Sequence, residues 1–207
     1  MKIYEFEGFP NPARVRMAVS ERGLQDSVEY ISVNVPAGEH RQPAFLKKNV
    51  SGTVPVLELD DGTTICECTA ITEYLDHLNG APSLTGASPR ERGAIHMMQR
   101  RVEAGLLDAI GAYFHHATVG LGPDIETYQN PDWGQHQLAK AVATMAYLDG
   151  VLETTEYVAG DRFSMADITA IAGLGFAAAV GVSVDSAHTS LHAWHERVQA
   201  RPTIAAA

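Results

Sequence analysis

The sequence has only two cysteines in 207 residues, and they stand two positions apart, at Cys66 and Cys68. That spacing is too close to bridge distant elements and fits no zinc motif, so neither a disulfide framework nor a structural metal is expected to organise the chain. It needs no such staple, because a chain of this length buries roughly 70% of its unfolded surface. Positive charge is scarce too. Residues 1–80 hold 12 acidic and 7 basic side chains, residues 81–207 hold 13 and 8, and the formal net charge is −10. Neither part offers the basic face that a nucleic acid requires. Long apolar runs are missing: the longest, about Ile168–Val184, is alanine-rich and too short to span a bilayer. Met1-Lys2 leads straight into strand-like sequence, without the pattern of a secretory signal. The composition, 45% hydrophobic and 19% charged with no low-complexity tract, is that of an ordinary globular protein. The expectation is a cytoplasmic protein with no nucleic-acid or membrane partner.

What the sequence does carry is clear punctuation. Asn11-Pro12, Ser88-Pro89 and Asn130-Pro131 each place a capping side chain before a proline whose fixed φ suits the first helical position. Ser164-Met165-Ala166-Asp167 is a capping box with Asp in place of Glu. Between these marks, Lys2–Phe6 and Val28–Val35 read as strands, and Pro12–Arg22 as a helix with Val15, Ala18 and Val19 on one face. Val54–Leu59 and Thr63–Cys66 flank the tight turn Asp60-Asp61-Gly62 as a hairpin, and Thr69–Asn79 reads as a helix. The order is βαβ, then ββα, which predicts an α/β sheet with a parallel part and an antiparallel edge over residues 1–80. Residues 81–89 form a turn-rich linker. Residues 90–207 show no strand pattern, only helices over Pro89–Thr118, Pro131–Thr154, Ser164–Val180 and about Ser186–Ala200. An α/β domain followed by an all-α helical bundle is the expected architecture.

One block is more specific. Phe45-Leu46-Lys47-Lys48-Asn49-Val50-Ser51-Gly52-Thr53-Val54-Pro55-Val56-Leu57-Glu58-Leu59 continues through Asp61-Gly62-Thr63 to Glu67-Cys68-Thr69-Ala70-Ile71 and Tyr74-Leu75. With Asn11–Arg16 and the Ser164–Asp167 cap, it resembles the soluble glutathione transferases along the whole chain: a thioredoxin-like domain, then a helical bundle. A proline opening a strand is tolerated only at an edge or bulge. The resemblance implies that the Val54-Pro55 bond is cis and that the Val54 backbone pairs with the cysteinyl part of glutathione. It places the γ-glutamyl carboxylate on backbone N–H groups at Glu67-Cys68, with the Glu67 carboxylate accepting from the glutamyl ammonium. Glu67 also reads simply as a first-turn acid facing the helix dipole. Cys68 stands where the family usually has serine. Its thiol donates weakly and is either an inert buried group or a partner for a mixed disulfide. His40 stands near the expected glycyl carboxylate, as ligand or as solvated loop residue. Thr53 precedes Val-Pro where relatives often carry lysine or glutamine.

The implied chemistry needs bound glutathione as its thiolate. Lowering a thiol from near 8.5 by about two units takes roughly 2.7 kcal/mol. One hydrogen bond to a charged acceptor supplies roughly 1.5–3 kcal/mol, and a helix N-terminus a further 0.3–1 or so. One good donor is enough. Phe9 occupies the slot where relatives place serine or cysteine and donates nothing. Asn11 is the expected catalytic residue: Oδ1 caps the helix while Nδ2 donates to sulfur, against a plain cap as the other reading. Tyr4 is the reserve donor. The electrophile is expected near Phe9 and at Tyr113 and His116, three apart on one helical face. Arg100 and Arg101 read as inter-helix or subunit contacts, and Asp167 as a folding cap. His188, His192 and His195 share a face, but three ligands on one straight helix cannot converge on a tetrahedral ion, so no metal is expected. The implied partners are glutathione as co-substrate, a hydrophobic electrophile and a second copy of the chain. Glutathione-dependent disulfide or peroxide reduction, or non-catalytic binding on the same fold, are the alternatives.

Overall fold

A computed structural model describes residues 1–205, which leaves the last two residues of the expected helical domain outside the described range. Four strands form one sheet: β1 (Lys2–Glu5), β2 (Glu29–Ser32), β3 (Val56–Glu58) and β4 (Thr64–Cys66), in spatial order β2-β1-β3-β4. β1 runs parallel to β2, with Ile3 opposite Tyr30, and antiparallel to β3, with Ile3 opposite Leu57. β3 and β4 make the expected antiparallel hairpin, Leu57 opposite Ile65. Strand alternation then divides the side chains. Ile3 and Leu57 face one layer, in which α1 (Pro10–Glu21) and α3 (Cys68–Leu78) supply Val15, Ile71 and Leu75. Tyr4 and Val56 face the other, beside Val33 and Phe45 of the short α2 (Pro43–Leu46).

The second part is helical among the described residues: α4 (Pro89–Val102), α5 (Asp108–Ala117), α6 (Pro131–Leu152), α7 (Met165–Ala179), α8 (Thr189–Gln199) and α9 (Pro202–Ala205). α7 is the central member. It is buried over most of its length and packs on α1, so one apolar cluster runs from Ile3 and Leu57 through Val15 into Leu106, Ile171 and Leu174. No described helix is long and apolar enough to cross a membrane.

Three of the four helix starts behave as their sequence demands. The Ser88 hydroxyl accepts from Glu91 N at 3.2 Å and Asn130 Oδ1 from Trp133 N at 3.1 Å, while Ser164 and Asp167 close their box reciprocally. The fourth does not. α1 begins at Pro10 with Phe9 as an unassisted N-cap, and Asn11 lies inside the first turn. Asn11 Oδ1 instead accepts from Arg14 Nη1 at 2.9 Å, so the expected capping role is corrected. The long pattern over Pro89–Thr118 is also interrupted, by a π-helical turn at Glu103–Leu107. Gly105 in that turn lets α6 approach closely, since a Cβ there would sit 2.6 Å from Thr144 Oγ1.

Candidate functional site

The starts of α1, α3 and β3 meet at one place. They border an open cleft of about 780 Å³ between the sheet part and α5 and α7, and a polar recess of about 250 Å³ that continues from it. Asn11, Ser51, Thr53 and Val54 lie on both.

β3 begins only after a cis Val54-Pro55 bond, as the resemblance implies. Val54 therefore stands outside the ladder, and no described residue bonds its N–H or C=O. An unpaired extended residue at a cleft edge is a template for another extended backbone. The loop before it is fastened from behind: Asn49 Nδ2 donates to Thr53 O at 2.8 Å and to Thr53 Oγ1 at 2.9 Å. Gly52 has φ 58° and lies so near His40 that a Cβ would meet the His40 carbonyl oxygen at 3.1 Å, which only glycine accommodates. His40 is buried, lines the cleft and leaves Nδ1 without a partner among the described residues.

Burial lowers the His40 pKa from 6.5, with the Arg41 charge adding to the effect. As the pH falls below about 6.5 the unfolded chain takes up this proton first, so stability present above that value is withdrawn toward the lower folded value. Melting temperatures at about pH 7.5 and 5.5 should therefore differ less in His40→Gln than in the wild type. An equal difference would remove His40 from the acid-sensitive groups.

At the third start, Glu67 is the one non-glycine among the described residues with positive φ, 73° with ψ 123°. Such a backbone costs about 1–3 kcal/mol and persists only where the surroundings enforce it. α3 then starts at the recess, which Glu67 and Cys68 line, and its first N–H groups, Cys68 to Ala70, have no backbone acceptor among the described residues outside the helix, while Ile71 N–H bonds Glu67 O at 2.9 Å. The Glu67 side chain is exposed beside them. Cys68 is buried, and burial pushes its thiol up to about 11. Its Sγ lies 3.4 Å from Asn11 O and 3.6 Å from Asn11 Oδ1, joining the two helix starts. A protonated, enclosed thiol is inert, which favours that reading over a mixed disulfide.

α1 offers less to an anion than an ordinary helix start. Pro10 and Pro12 have no N–H, so in its first three positions only Asn11 donates from the backbone. The Asn11 side chain is pinned through Oδ1 by Arg14, itself buried and paired with Glu103 at 2.9 Å. Nδ2 is left with no described acceptor on a residue that lines the cleft. Tyr4 is no reserve donor: its hydroxyl donates to Glu58 Oε2 at 3.2 Å, under Lys48, on the far side of the sheet from α1.

Phe9 lines the cleft, packed edge-on against Phe6 at 4.7 Å between ring centroids. Tyr113 and His116 do not line it. His116 faces the following loop, accepting from Asn130 N at 3.1 Å, and α5 presents Gly111, Phe114 and His115 to the cleft instead. The π turn adds a residue ahead of α5 and so rotates it by about 100° against an uninterrupted helix. His115 and Glu126, 2.7 Å apart, are cleft residues that sequence reasoning missed. Glu126 lies in an aperiodic loop, where no pattern singles it out.

Arg101 makes an inter-helix contact, Nη1 to Tyr147 Oη at 3.0 Å, and Arg100 pairs with Glu103 and Asp108. His188, His192 and His195 have separate partners: Asp149, the Asp185 carbonyl and Gln199. No group of three or more His, Cys, Asp or Glu among the described residues is placed to hold a metal ion.

The comparisons with known proteins agree with this geometry. Residues 10–78 match the family model described as "Glutathione S-transferase, N-terminal domain", and residues 115–202 match "Glutathione S-transferase, C-terminal domain". "Glutathione S-transferase 2" of Saccharomyces cerevisiae is 56% identical over 204 residues, covering 99% of this chain and 88% of the yeast protein. The crystal structure of yeast Gtt2 superposes with a TM-score of 0.98 at 56% identity, over 100% of this chain and 99% of that one. A glutathione S-transferase domain-containing protein from Marinobacter aquaeolei VT8 gives 0.97 at 59% identity, over 99% and 100% of the two chains. A four-stranded mixed sheet with a cis-proline edge, a helical second part and both family domains make this chain a member of the glutathione S-transferase family.

Proposed function

We propose that the chain conjugates glutathione to hydrophobic electrophiles in the large cleft. The observation that carries this reading is the Val54 backbone, with no described partner, on the same recess as Glu67 and Cys68 at the start of α3. An extended tripeptide laid along Val54 would put its γ-glutamyl carboxylate at the start of α3, its ammonium at Glu67, and its glycyl end toward His40. Thr53 contributes position rather than charge, since its hydroxyl already accepts from Asn49. The sulfur then falls near the start of α1, where Asn11 supplies a backbone N–H and a side-chain Nδ2. Those two donors match the roughly 2.7 kcal/mol needed to hold the thiolate, at about 1.5–3 kcal/mol for a hydrogen bond to a charge. Residues 1–80 serve as the glutathione-binding part, 81–89 as linker and 90–207 as the electrophile-binding part. The inertness of Cys68 weighs against a reductase that uses a cleft cysteine.

A homodimer in the cytoplasm belongs to the same reading. Val50, 90% exposed at the tip of the loop before Val54, and Met97 on α4 are apolar side chains that such an interface would cover.

The test is glutathione titration by calorimetry, together with turnover on an aryl halide and on a hydroxyethyl mixed disulfide. Binding with conjugation of the aryl halide is expected. In Asn11→Ala the thiolate absorbance of bound glutathione should titrate about one unit higher and kcat should fall about tenfold. Binding without turnover on either substrate would point to a non-catalytic protein.

A further inference from the structure

A glycine inside a helix weakens it relative to alanine, so each one asks for a reason. Gly105, Gly134 and Gly173 have theirs in packing: a Cβ would sit 2.6 Å from Thr144 Oγ1, 2.6 Å from the Ala117 Cβ and 2.8 Å from Leu106 Cγ. Gly93, Gly150 and Gly175 are exposed and line no part of the cleft. Gly111 is neither case. It lies inside α5 and lines the cleft, and within 4 Å a Cβ there would meet only Phe176 Cε1, at an ordinary 3.8 Å. The packing has room for alanine at this position, and glycine leaves that room to the cleft. The wall around it is aromatic: Phe114 and Phe176 both line the cleft, edge to face with ring centroids 5.5 Å apart. That the cleft takes a ligand has separate support in His40, 6% exposed on its lining with Nδ1 unpartnered among the described residues.

We propose that Gly111 is a specificity-determining residue: it keeps a notch in the cleft wall for a flat, fused-ring aromatic group laid against the α5 backbone, in edge contact with Phe114 and Phe176. This deepens the transferase reading and rests on it. Asp108 lies on both the cleft and the recess, and Phe114 follows six residues later, about 9 Å along the helix. Gly111 is half-way between them. That span takes two fused rings end to end, whereas one ring leaves part of it in contact with water and gains less from burial. A methyl group at position 111 raises the floor at mid-span. A single ring can shift to either side of it, but a fused pair cannot. In a naphthylmethyl chloride the glutathione sulfur attacks the exocyclic carbon. The S–C bond forms, the C–Cl bond breaks and its electron pair leaves with chloride, while the thiol proton has already passed to water on binding. Benzyl chloride undergoes the same displacement with one ring fewer.

The experiment compares kcat/KM for 2-(chloromethyl)naphthalene with that for benzyl chloride, each divided by its uncatalysed rate. The ratio cancels any loss of folded protein and any effect on the thiolate. The wild type should favour the naphthyl compound by about tenfold or more. In Gly111→Ala the ratio should fall about tenfold, the size of one added methyl group in an apolar pocket, while the melting temperature rises by about 2–4 °C. Gly175→Ala, a helix glycine away from the cleft, should give a similar rise in melting temperature and leave the ratio alone. A wild-type ratio near one, a ratio that Gly111→Ala leaves unchanged, or one that Gly175→Ala lowers as far overturns the proposal and leaves the transferase reading intact. So does a fall in the melting temperature of Gly111→Ala, which would make the glycine a requirement of the fold. A wild-type chain that conjugates neither chloride nor an aryl halide overturns both.

Discussion

Replacing Asp167 by alanine is expected to destabilise the fold by about 4 kcal/mol and to lower the melting temperature by roughly 8–16 °C. The carboxylate has no solvent exposure and accepts four hydrogen bonds: Val158 N at 2.9 Å and Trp194 Nε1 at 3.1 Å on Oδ1, Ser164 N at 2.9 Å and Ser164 Oγ at 3.0 Å on Oδ2. Alanine strands those donors in an enclosed site, each worth about 1–3 kcal/mol when unpaired. Asparagine should recover only part of the loss, because its amide N–H faces the Ser164 N–H where an acceptor is needed. Burial pushes the Asp167 carboxyl up to about 6, against the pull of those same donors. The folded value lies above the unfolded one, so the folded chain binds the proton first as the pH falls through 6. The deficit of Asp167→Ala against wild type should then widen by about 1 kcal/mol between pH 7 and 5. Urea unfolding at the two pH values reads both effects. A deficit below about 1 kcal/mol would mean that water replaces the carboxylate, and a narrowing gap would reverse the pKa order.

The parts of the molecule legible in the sequence are those whose cause is local. Proline after a capping residue sets the starts of α4 and α6, the Ser164 box sets α7, and Asp60-Asp61-Gly62 turns β3 into β4. Each needs only neighbours within a few residues. The misplaced features have causes elsewhere in the fold. Asn11 has the chemistry of a cap, but its oxygen is claimed by Arg14, which Glu103 holds from the helical part. The π turn leaves no mark in the apolar periodicity of residues 89–118. α6 packs closely at Gly105 within it, and the residue the turn adds leaves Phe114 and His115, not Tyr113 and His116, on the cleft.

The same division runs through the site. Val54, Pro55, Glu67 and Cys68 lie on one continuous stretch that the family resemblance singles out together, and the recess they line is built within that stretch. His115 and Glu126 come from two segments whose pairing depends on how the loop between α5 and α6 folds back. The unusual backbone at Glu67 also escapes the sequence, since glutamate is a poor choice for positive φ and nothing in the residue announces it. A disfavoured backbone at a residue that bears charge, next to unpaired N–H groups, indicates a side chain kept for a reason other than folding.

Glu67→Ala therefore separates function from stability more sharply than any other substitution in the site. A hydrogen bond between the carboxylate and the glutamyl ammonium is worth about 1.5–3 kcal/mol, so KM for glutathione should rise roughly 10- to 150-fold. The aryl-halide kcat at saturating glutathione should change far less, because the carboxylate binds ground state and transition state alike. Glu67→Gln, which keeps shape and length, should show most of the same loss, because the ammonium needs a charge and not merely an oxygen. Glu67→Gly is the informative third variant: it relieves the positive φ at Glu67, so its melting temperature should not fall below that of the alanine variant, yet its KM should rise as far. If alanine and glutamine both leave KM where it was, the carboxylate is a first-turn acid and nothing more. The ammonium would then have to be met by another group on the recess, among which Glu103 and Asp108 carry the remaining negative charge.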